Sequence, residues 1–232
     1  MRMFCESSLD FPSECLYLPE RTSRFEYFYA AELNEQEFNS YLEKGWRKFG
    51  QYYFRPHCAL NCFRCVPIRV LAKEFCPTKS QKKVIKKASN IKVKFCPLKY
   101  RDEIFEIIKD HSLNRFGRIE DKESNMTSFF TESCPSFQSE YYLDGKLIAV
   151  GFLDQSNEAL SSVYFVFDTS FGKYSLGTLG AIREIQHAAS LNLKYYYLGY
   201  YIKENHSMAY KNRFHPNEKY NWEEKTWNRE EL

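Results

Sequence analysis

Glycine and proline are scarce, with 9 and 8 residues in a chain of 232. So few chain breakers exclude a low-complexity or collagen-like chain. The length suffices for one large or two small domains with real cores. No stretch approaches the roughly 18 apolar residues of a membrane span, so no membrane partner is expected. Net charge is scarce as well: 33 Lys and Arg against 30 Asp and Glu leave +3. That is too little to diagnose a nucleic-acid binder, and local clustering has to carry any such function. Met1 to Glu6 lack the basic, apolar and small-residue succession of a signal peptide. Eight cysteines in such a chain are expected as reduced thiols or metal ligands rather than disulfides. The expected location is cytoplasmic.

What the chain has in excess is aromatic surface, 18 Tyr and 20 Phe. Such rings fill cores, and Tyr also suits a site that is half apolar and half polar. Residues 1–20, broken by Pro12 and Pro19, read as irregular. Gln36, Phe38, Tyr41 and Leu42 fall at helical spacing, and Gly45 fits the stop. Gln51 to Phe54 reads as a strand, and a cysteine-rich segment follows from Pro56 to Pro67. If Ser80 to Ala88 is helical, Lys82, Lys83, Lys86 and Lys87 share one face, with Val84, Ile85 and Ala88 on the other. Asn90-Ile91 is the expected boundary between a domain of residues 1–90 and one of residues 91–232.

The second half opens with a strand at Ile91 to Phe95 and an amphipathic helix over 100–111 carrying Ile104, Ile107 and Ile108. Residues 112–135 are polar and show no clear pattern. Phe137 to Leu143 and Lys146 to Leu153 read as a hairpin around Asp144-Gly145. A strand at Leu160 to Phe167, a helix from Ser175 to Ser190 with Ser175 as N-cap, a strand at Tyr195 to Leu198 and a short helix from Ser207 to Arg213 complete the order. This order suits an α+β acyltransferase core. In such cores a ligand lies where a strand runs into a helix N-terminus, whose open N–H groups and dipole favour phosphate.

Several motifs stand in sequence: Gly45-Trp46-Arg47-Lys48-Phe49-Gly50, then Arg55-Pro56 with Cys58, Cys62 and Cys65, then Pro67-Ile68-Arg69-Val70 and Phe75-Cys76-Pro77-Thr78-Lys79-Ser80-Gln81-Lys82-Lys83. Asp144 to Gly151, Ser161 to Phe165, Ser175-Leu176-Gly177-Thr178, Tyr195 to Ile202, and Met208, Tyr210, Lys211, Phe214 and Pro216 follow. In this order they resemble the arginyl-tRNA–protein transferases, including the bacterial aspartate/glutamate leucyltransferases, over residues 15–216. The resemblance implies an N-terminal cysteine-containing domain and a C-terminal domain of the N-acetyltransferase-like (GNAT-like) fold. It implies a donor aminoacyl-tRNA, an acceptor protein beginning with Asp or Glu, and ribosome-independent peptide-bond formation that marks the acceptor for degradation.

Roles follow from that resemblance and from side-chain chemistry. Lys79, Lys82, Lys83, Lys86 and Lys87 are the expected tRNA contacts, the alternative being a solvated helix face. Ser175, Gly177 and Thr178 are expected near the phosphate beside the terminal adenosine, unless Ser175 is an ordinary N-cap. Tyr200 and Tyr201, at the exit of their strand, are the candidate catalytic hydroxyls, with a core role the alternative. Arg55, Arg69, Arg183 and Lys211 are candidates for the acceptor's acidic side chain. Cys15, Cys58, Cys62 and Cys65 could hold zinc or an iron–sulfur cluster, as the resemblance to eukaryotic relatives suggests, or serve as buried or redox-sensitive thiols. No cofactor is required: the ester donor is already activated, and His111 and His206 are not expected to be dominant bases. The donor is expected to be leucine. An arginine donor would need a carboxylate such as Asp154, Asp168 or Glu184. A small-molecule N-acetyltransferase using acetyl-CoA would leave the lysine and cysteine segments without a role. A silent tRNA- or metal-binding module would leave the acyltransferase-like half without one.

Overall fold

The computed structural model describes residues 2–3, 6–58 and 62–230. The first half runs β1 (Arg2–Met3), β2 (Ser8–Leu9), β3 (Ser13–Glu14), β4 (Thr22–Ser23), β5 (Phe25–Glu32), α1 (Glu35–Leu42), β6 (Arg47–Phe49), β7 (Tyr52–Pro56), β8 (Val66–Leu71) and α2 (Lys79–Lys87). The second runs β9 (Lys92–Pro97), α3 (Asp102–Phe116), α4 (Lys122–Asn125), β10 (Ser136–Leu143), β11 (Lys146–Gln155), β12 (Ala159–Phe167), α5 (Leu176–Ser190), β13 (Tyr195–Tyr201), α6 (His206–Ala209), β14 (Asn217–Asn221) and β15 (Thr226–Arg229).

Local chemistry explains the boundaries. Both α1 and α2 start on reciprocal capping boxes, Asn34 with Glu37 and Thr78 with Gln81, which satisfy two otherwise orphaned N–H groups each. The hairpin of β10 and β11 turns at Asp144 and Gly145, both left-handed with φ of 50° and 85°, as a tight two-residue connection demands. Helix α3 stops at Gly117, also left-handed. The N-terminal twenty residues, expected to be irregular, contain three two-residue strands among those described. The unpatterned stretch 112–135 holds the end of α3, α4 and a single π-helical turn, Met126–Phe130. Phe129 and Phe130 of that turn pack on Phe152 of β11, with ring centroids 4.8 and 5.3 Å apart.

The strands form a mixed eight-stranded sheet in the order β15-β14-β8-β13-β12-β11-β10-β9 and a smaller antiparallel sheet of β1, β5, β7 and β6, with β2 joined to β5. The architecture is therefore mixed α and β, built on one large sheet. Strand β8 comes from the first ninety residues, yet it lies inside the large sheet, antiparallel to both β13 and β14. Helix α5 covers the centre of this sheet with Ile182, Ile185 and Ala188 against Ile68, Val70, Leu160 and Tyr196. Helix α2 packs on α5. The small sheet has its own aromatic core of Phe28, Phe38, Trp46 and Tyr53. Among the described residues no helix is long and apolar enough to cross a membrane.

Helix α5 approaches the sheet closely because Gly180 faces Phe165: a Cβ there would sit 2.3 Å from the ring. Gly180→Ala is expected to lower stability by about 1–3 kcal/mol through overpacking, with part of the loss recovered in the double variant carrying Phe165→Leu. Thermal unfolding of the two variants checks this.

Candidate active site

Strands β12 and β13 are the sheet's only parallel pair among the described strands, and they pair over just three residues: Ala159 with Tyr195, Leu160 with Tyr196, and Ser161 with Tyr197. Both then continue, β12 to Phe167 and β13 to Tyr201, without pairing. Irregularities fall at the point of parting. The β11 register slips where Phe152 faces Tyr164 and Leu153 faces Ser162. The β8 register slips between Tyr197 and Gly199. Bulges bend and twist a strand, and here they open a wedge in the middle of the sheet. Helix α5 connects the two arms of this wedge.

The small sheet fills the wedge with a cation. Arg47 on β6 reaches across, its Nη1 donating to Ser161 Oγ at 2.6 Å and its Nη2 to the carbonyl of Ser162. Both acceptors are neutral, and burial pushes the guanidinium below its ordinary pKa. Opposite stands Lys211, whose Nζ donates to the Tyr200 carbonyl at 3.0 Å. Burial, aided by the charge of Arg47, brings the Lys211 ammonium down to about 7. Between them is Gly199 with φ 88°, and a Cβ on it would lie 3.4 Å from Lys211 Nζ and 3.7 Å from Arg47 Nη2. The Tyr200 hydroxyl donates to the Gly45 carbonyl at 2.9 Å, and burial holds that phenol far from ionisation. Tyr17, held through its carbonyl by Asn205 at 2.9 Å, lies within electrostatic reach of Cys65, Tyr200 and Tyr164.

The other sequence candidates disperse. Tyr201 follows Tyr200 on the strand and therefore faces the other way, under the Lys219 ammonium at 4.4 Å from its ring. Arg55 is held by Glu26 at 2.7 Å and Arg69 by Glu218 at 2.7 Å and the Tyr197 hydroxyl at 2.9 Å. Arg183 lies on α5 and donates to Gln186. Ser175 occupies the N-cap position of α5, but it is left-handed, with φ 53° and ψ 49°, and its side chain makes no capping bond. The expected side-chain cap is thus absent. No described atom lies within 4 Å of a Cβ built on Gly177, so the first turn of α5 with Thr178 is open. Lys79, Lys82, Lys83, Lys86 and Lys87 are exposed along α2, while Gln81 and Ala88 are buried.

Cys15, Cys58, Cys62 and Cys65 are all half-buried, and residues 59–61 between them lie outside the described residues. Their electrostatic neighbourhood is shared: burial first, then the other three sulfurs, push the Cys65 thiol up to about 12. Among the described residues no three metal-ligating side chains are gathered as a metal site. His111 is buried on α3 against the Phe167 backbone, and desolvation brings it down to about 4, so it is neutral. The three carboxylates considered for an arginine donor are all engaged. Asp154 pairs with buried Lys48 at 3.1 Å and Asp168 with Lys146 at 2.8 Å. Glu184 is sealed beneath the sheet, where Ser139 Oγ at 2.7 Å and the Tyr196 hydroxyl donate to it.

Arg47 had no role in the sequence reading, although its motif was conspicuous. The available signal was an adjacent Arg-Lys pair on a segment of three strand residues between Trp46 and Gly50, too short to be a solvated amphipathic face.

Burial raises the Glu184 carboxyl to about 7. Its unfolded value is near 4.5, so the folded state binds the extra proton between these values. The stabilisation is complete below about 4.5 and is lost as pH rises through 7. Glu184→Gln, which stays neutral, is expected to gain stability relative to the parent between pH 5 and pH 8, by on the order of 3 kcal/mol. Denaturant titrations at the two pH values check the sign.

Comparison with known proteins follows the same lines. The family profile described as "Arginine-tRNA-protein transferase, C terminus" matches residues 103–221 and that described as "Arginine-tRNA-protein transferase, N terminus" matches residues 13–83. The aspartate/glutamate leucyltransferase of Helicobacter hepaticus is 33% identical over 214 residues, covering 87% of this chain and 86% of that one. That of Nitrosococcus oceani is 32% identical over 222 residues, covering 93% and 92%. Among solved structures, FemX aligns at a TM-score of 0.48 and 6% identity over 85% of this chain and 79% of that chain. With both profiles matched in order and relatives of this identity along most of its length, the chain belongs to the arginine-tRNA-protein transferase family, a family of aminoacyltransferases.

Proposed function

We propose that this chain transfers leucine from Leu-tRNA to the N-terminus of a cytoplasmic protein beginning with Asp or Glu, and so marks that protein for degradation. The observation that carries this reading is the wedge: a parallel strand pair that opens above an open helix start, with unneutralised cations on its floor. Such an opening is the ligand site of a GNAT-like fold, and we assign the second half of the chain to that fold. Relatives that match most of the chain bear the name aspartate/glutamate leucyltransferase. The engagement of Asp154, Asp168 and Glu184 leaves none of these three carboxylates to receive a guanidinium, which favours an apolar donor side chain.

In this reading the exposed lysines of α2 hold the tRNA backbone. The turn at Ser175, Gly177 and Thr178 takes a phosphate of its 3′ end on the backbone N–H groups of Leu176 and Gly177, those of Ser175 and Thr178 being bonded within the turn. The acceptor's α-amino nitrogen attacks the ester carbonyl. The C–N bond forms, the C–O bond to the terminal ribose breaks, and the proton leaves with the ribose oxygen. The amine has an unperturbed pKa of about 7.7–8.0, so a neutral fraction is present without a strong base. Positioning supplies much of the rate, and the backbone at the bulge near Tyr164 is the nearest candidate donor for the oxyanion. The thiols of Cys15, Cys58, Cys62 and Cys65 share a neighbourhood but form no ligand set as described. A zinc ion or iron–sulfur cluster would need them to rearrange, and no step runs through one.

Purified protein given radiolabelled Leu-tRNA or Arg-tRNA with peptides beginning Asp, Glu, Lys or Ala is expected to label the Asp and Glu peptides from Leu-tRNA. Acetyl-CoA turnover without tRNA, or tRNA binding with no transfer from either donor, would refute the reading. Replacing Lys82, Lys83, Lys86 and Lys87 by Ala is expected to weaken tRNA binding and to flatten the log–log salt slope by about 3 to 4, while the melting temperature stays put. Filter binding across a salt series reads both.

A further inference from the structure

We infer that Arg47 and Lys211, which meet beside Gly199, together form the carboxylate cradle that selects the acceptor's first side chain. The inference rests on the transferase reading and names the groups that give the site its acidic specificity.

Four other cations of the interior have carboxylate partners: Lys48 has Asp154, Arg55 has Glu26, Arg69 has Glu218, and Arg101 has Glu140. Among the described residues Arg47 and Lys211 have none. Arg47 spends two N–H groups on Ser161 and Ser162, and Lys211 spends one on the Tyr200 carbonyl. The carboxylate that Arg47 feels is Asp154, already held by Lys48. Two half-buried cations on either side of one point repel each other, and leaving them without a counter-ion is costly. The groups facing them are Tyr200, Tyr196 and Tyr197 around Arg47 and Cys65 beside Lys211; of these none is an anion at neutral pH.

The geometry suits a small planar anion. A Cβ built on Gly199 would lie 3.4 Å from the Lys211 nitrogen and 3.7 Å from Arg47 Nη2, so both cations reach the same point of the β13 backbone. Unused guanidinium and ammonium N–H groups flank this point, and two donors are what a carboxylate's two oxygens accept. The bound charge would also restore the Lys211 ammonium that burial and Arg47 hold down. Phosphate has better places on this molecule, on the exposed lysines of α2 and the open turn of α5.

The test uses fluorescently labelled peptides that differ only in their first residue, Asp or Asn, titrated against the full chain, and then the same peptides as acceptors with saturating Leu-tRNA. The parent is expected to bind the Asp peptide tighter than the Asn peptide. In Lys211→Met the Asp advantage is expected to fall about 10- to 100-fold, seen as a higher KM with kcat at saturation and affinity for Leu-tRNA nearly unchanged. Arg47→Lys keeps the charge but loses the fork, so it should retain part of the advantage. An Asp/Asn ratio that both variants leave unchanged overturns the inference. So does inorganic phosphate that binds the parent more tightly than the Asp peptide and loses that binding in Lys211→Met, since the cradle is then a phosphate site. Selective Asp-peptide binding without transfer would sink the enzyme reading while leaving the cradle standing.

Discussion

The guanidinium of Arg47 ties the two sheets together at the point where the larger one is weakest. A parallel pair that parts after three residues leaves backbone groups of β12 without ladder partners. One of them, the Ser162 carbonyl, accepts from Arg47. The same side chain fixes the Ser161 hydroxyl and contributes to the lowered pKa of Lys211. Its removal would leave a buried carbonyl without its donor and would detach β6 from the wedge. The strand that carries it is held in turn by the aromatic core beneath Trp46. Packing in the small sheet is thereby converted into electrostatics in the large one.

Around this centre the interior polar groups fall into two classes. Lys48 and Asp154 neutralise each other next to the wedge, with Ser136 Oγ donating to the carboxylate at 2.7 Å. Glu184, Ser139 and Tyr196 form a network in which hydrogen bonds to a neutral acid replace a counter-ion. Gly151 is required there, since a Cβ would stand 2.1 Å from Glu184 Oε1. Both networks carry their charge or its neutral equivalent within the fold, although Asp154 Oδ2 is left without a hydrogen bond. The Arg47–Lys211 pair is left as the place where the molecule's electrostatics are incomplete, and incompleteness of that kind is what a ligand can repair.

Much of the fold could be read from the chain alone because its signals are local. Asp144-Gly145 between two apolar runs has few alternatives to a hairpin. The lysines and apolar residues of 82–88 separate cleanly at helical spacing, and the capping box that starts α2 is written in Thr78 and Gln81. What could not be read depends on tertiary contacts. The Tyr run of β13 was legible as a strand, yet adjacency on that strand sends Tyr200 to the wedge and Tyr201 to Lys219. Arg55, Arg69 and Lys211 look alike in sequence, and only the positions of Glu26 and Glu218 distinguish the committed from the available. Ser175 has the composition of an N-cap, but its backbone is left-handed and its side chain makes no capping bond. Arg47 became visible as a site residue only when β6 was laid against β12.

The place of β8 inside the large sheet carries a consequence for how the molecule is made. Its neighbours, β13 and β14, are separated from it by well over a hundred residues of chain, and β14 stands near the end of the described residues. As the chain emerges from the ribosome, β8 has both hydrogen-bonding edges bare until its partners have been synthesised. The wedge needs β13 in register, so the site cannot assemble on a partial chain. A nascent copy would therefore be inert towards tRNA esters until β13 and β14 have been made, and would meanwhile present an unpaired apolar strand to the cell's chaperones.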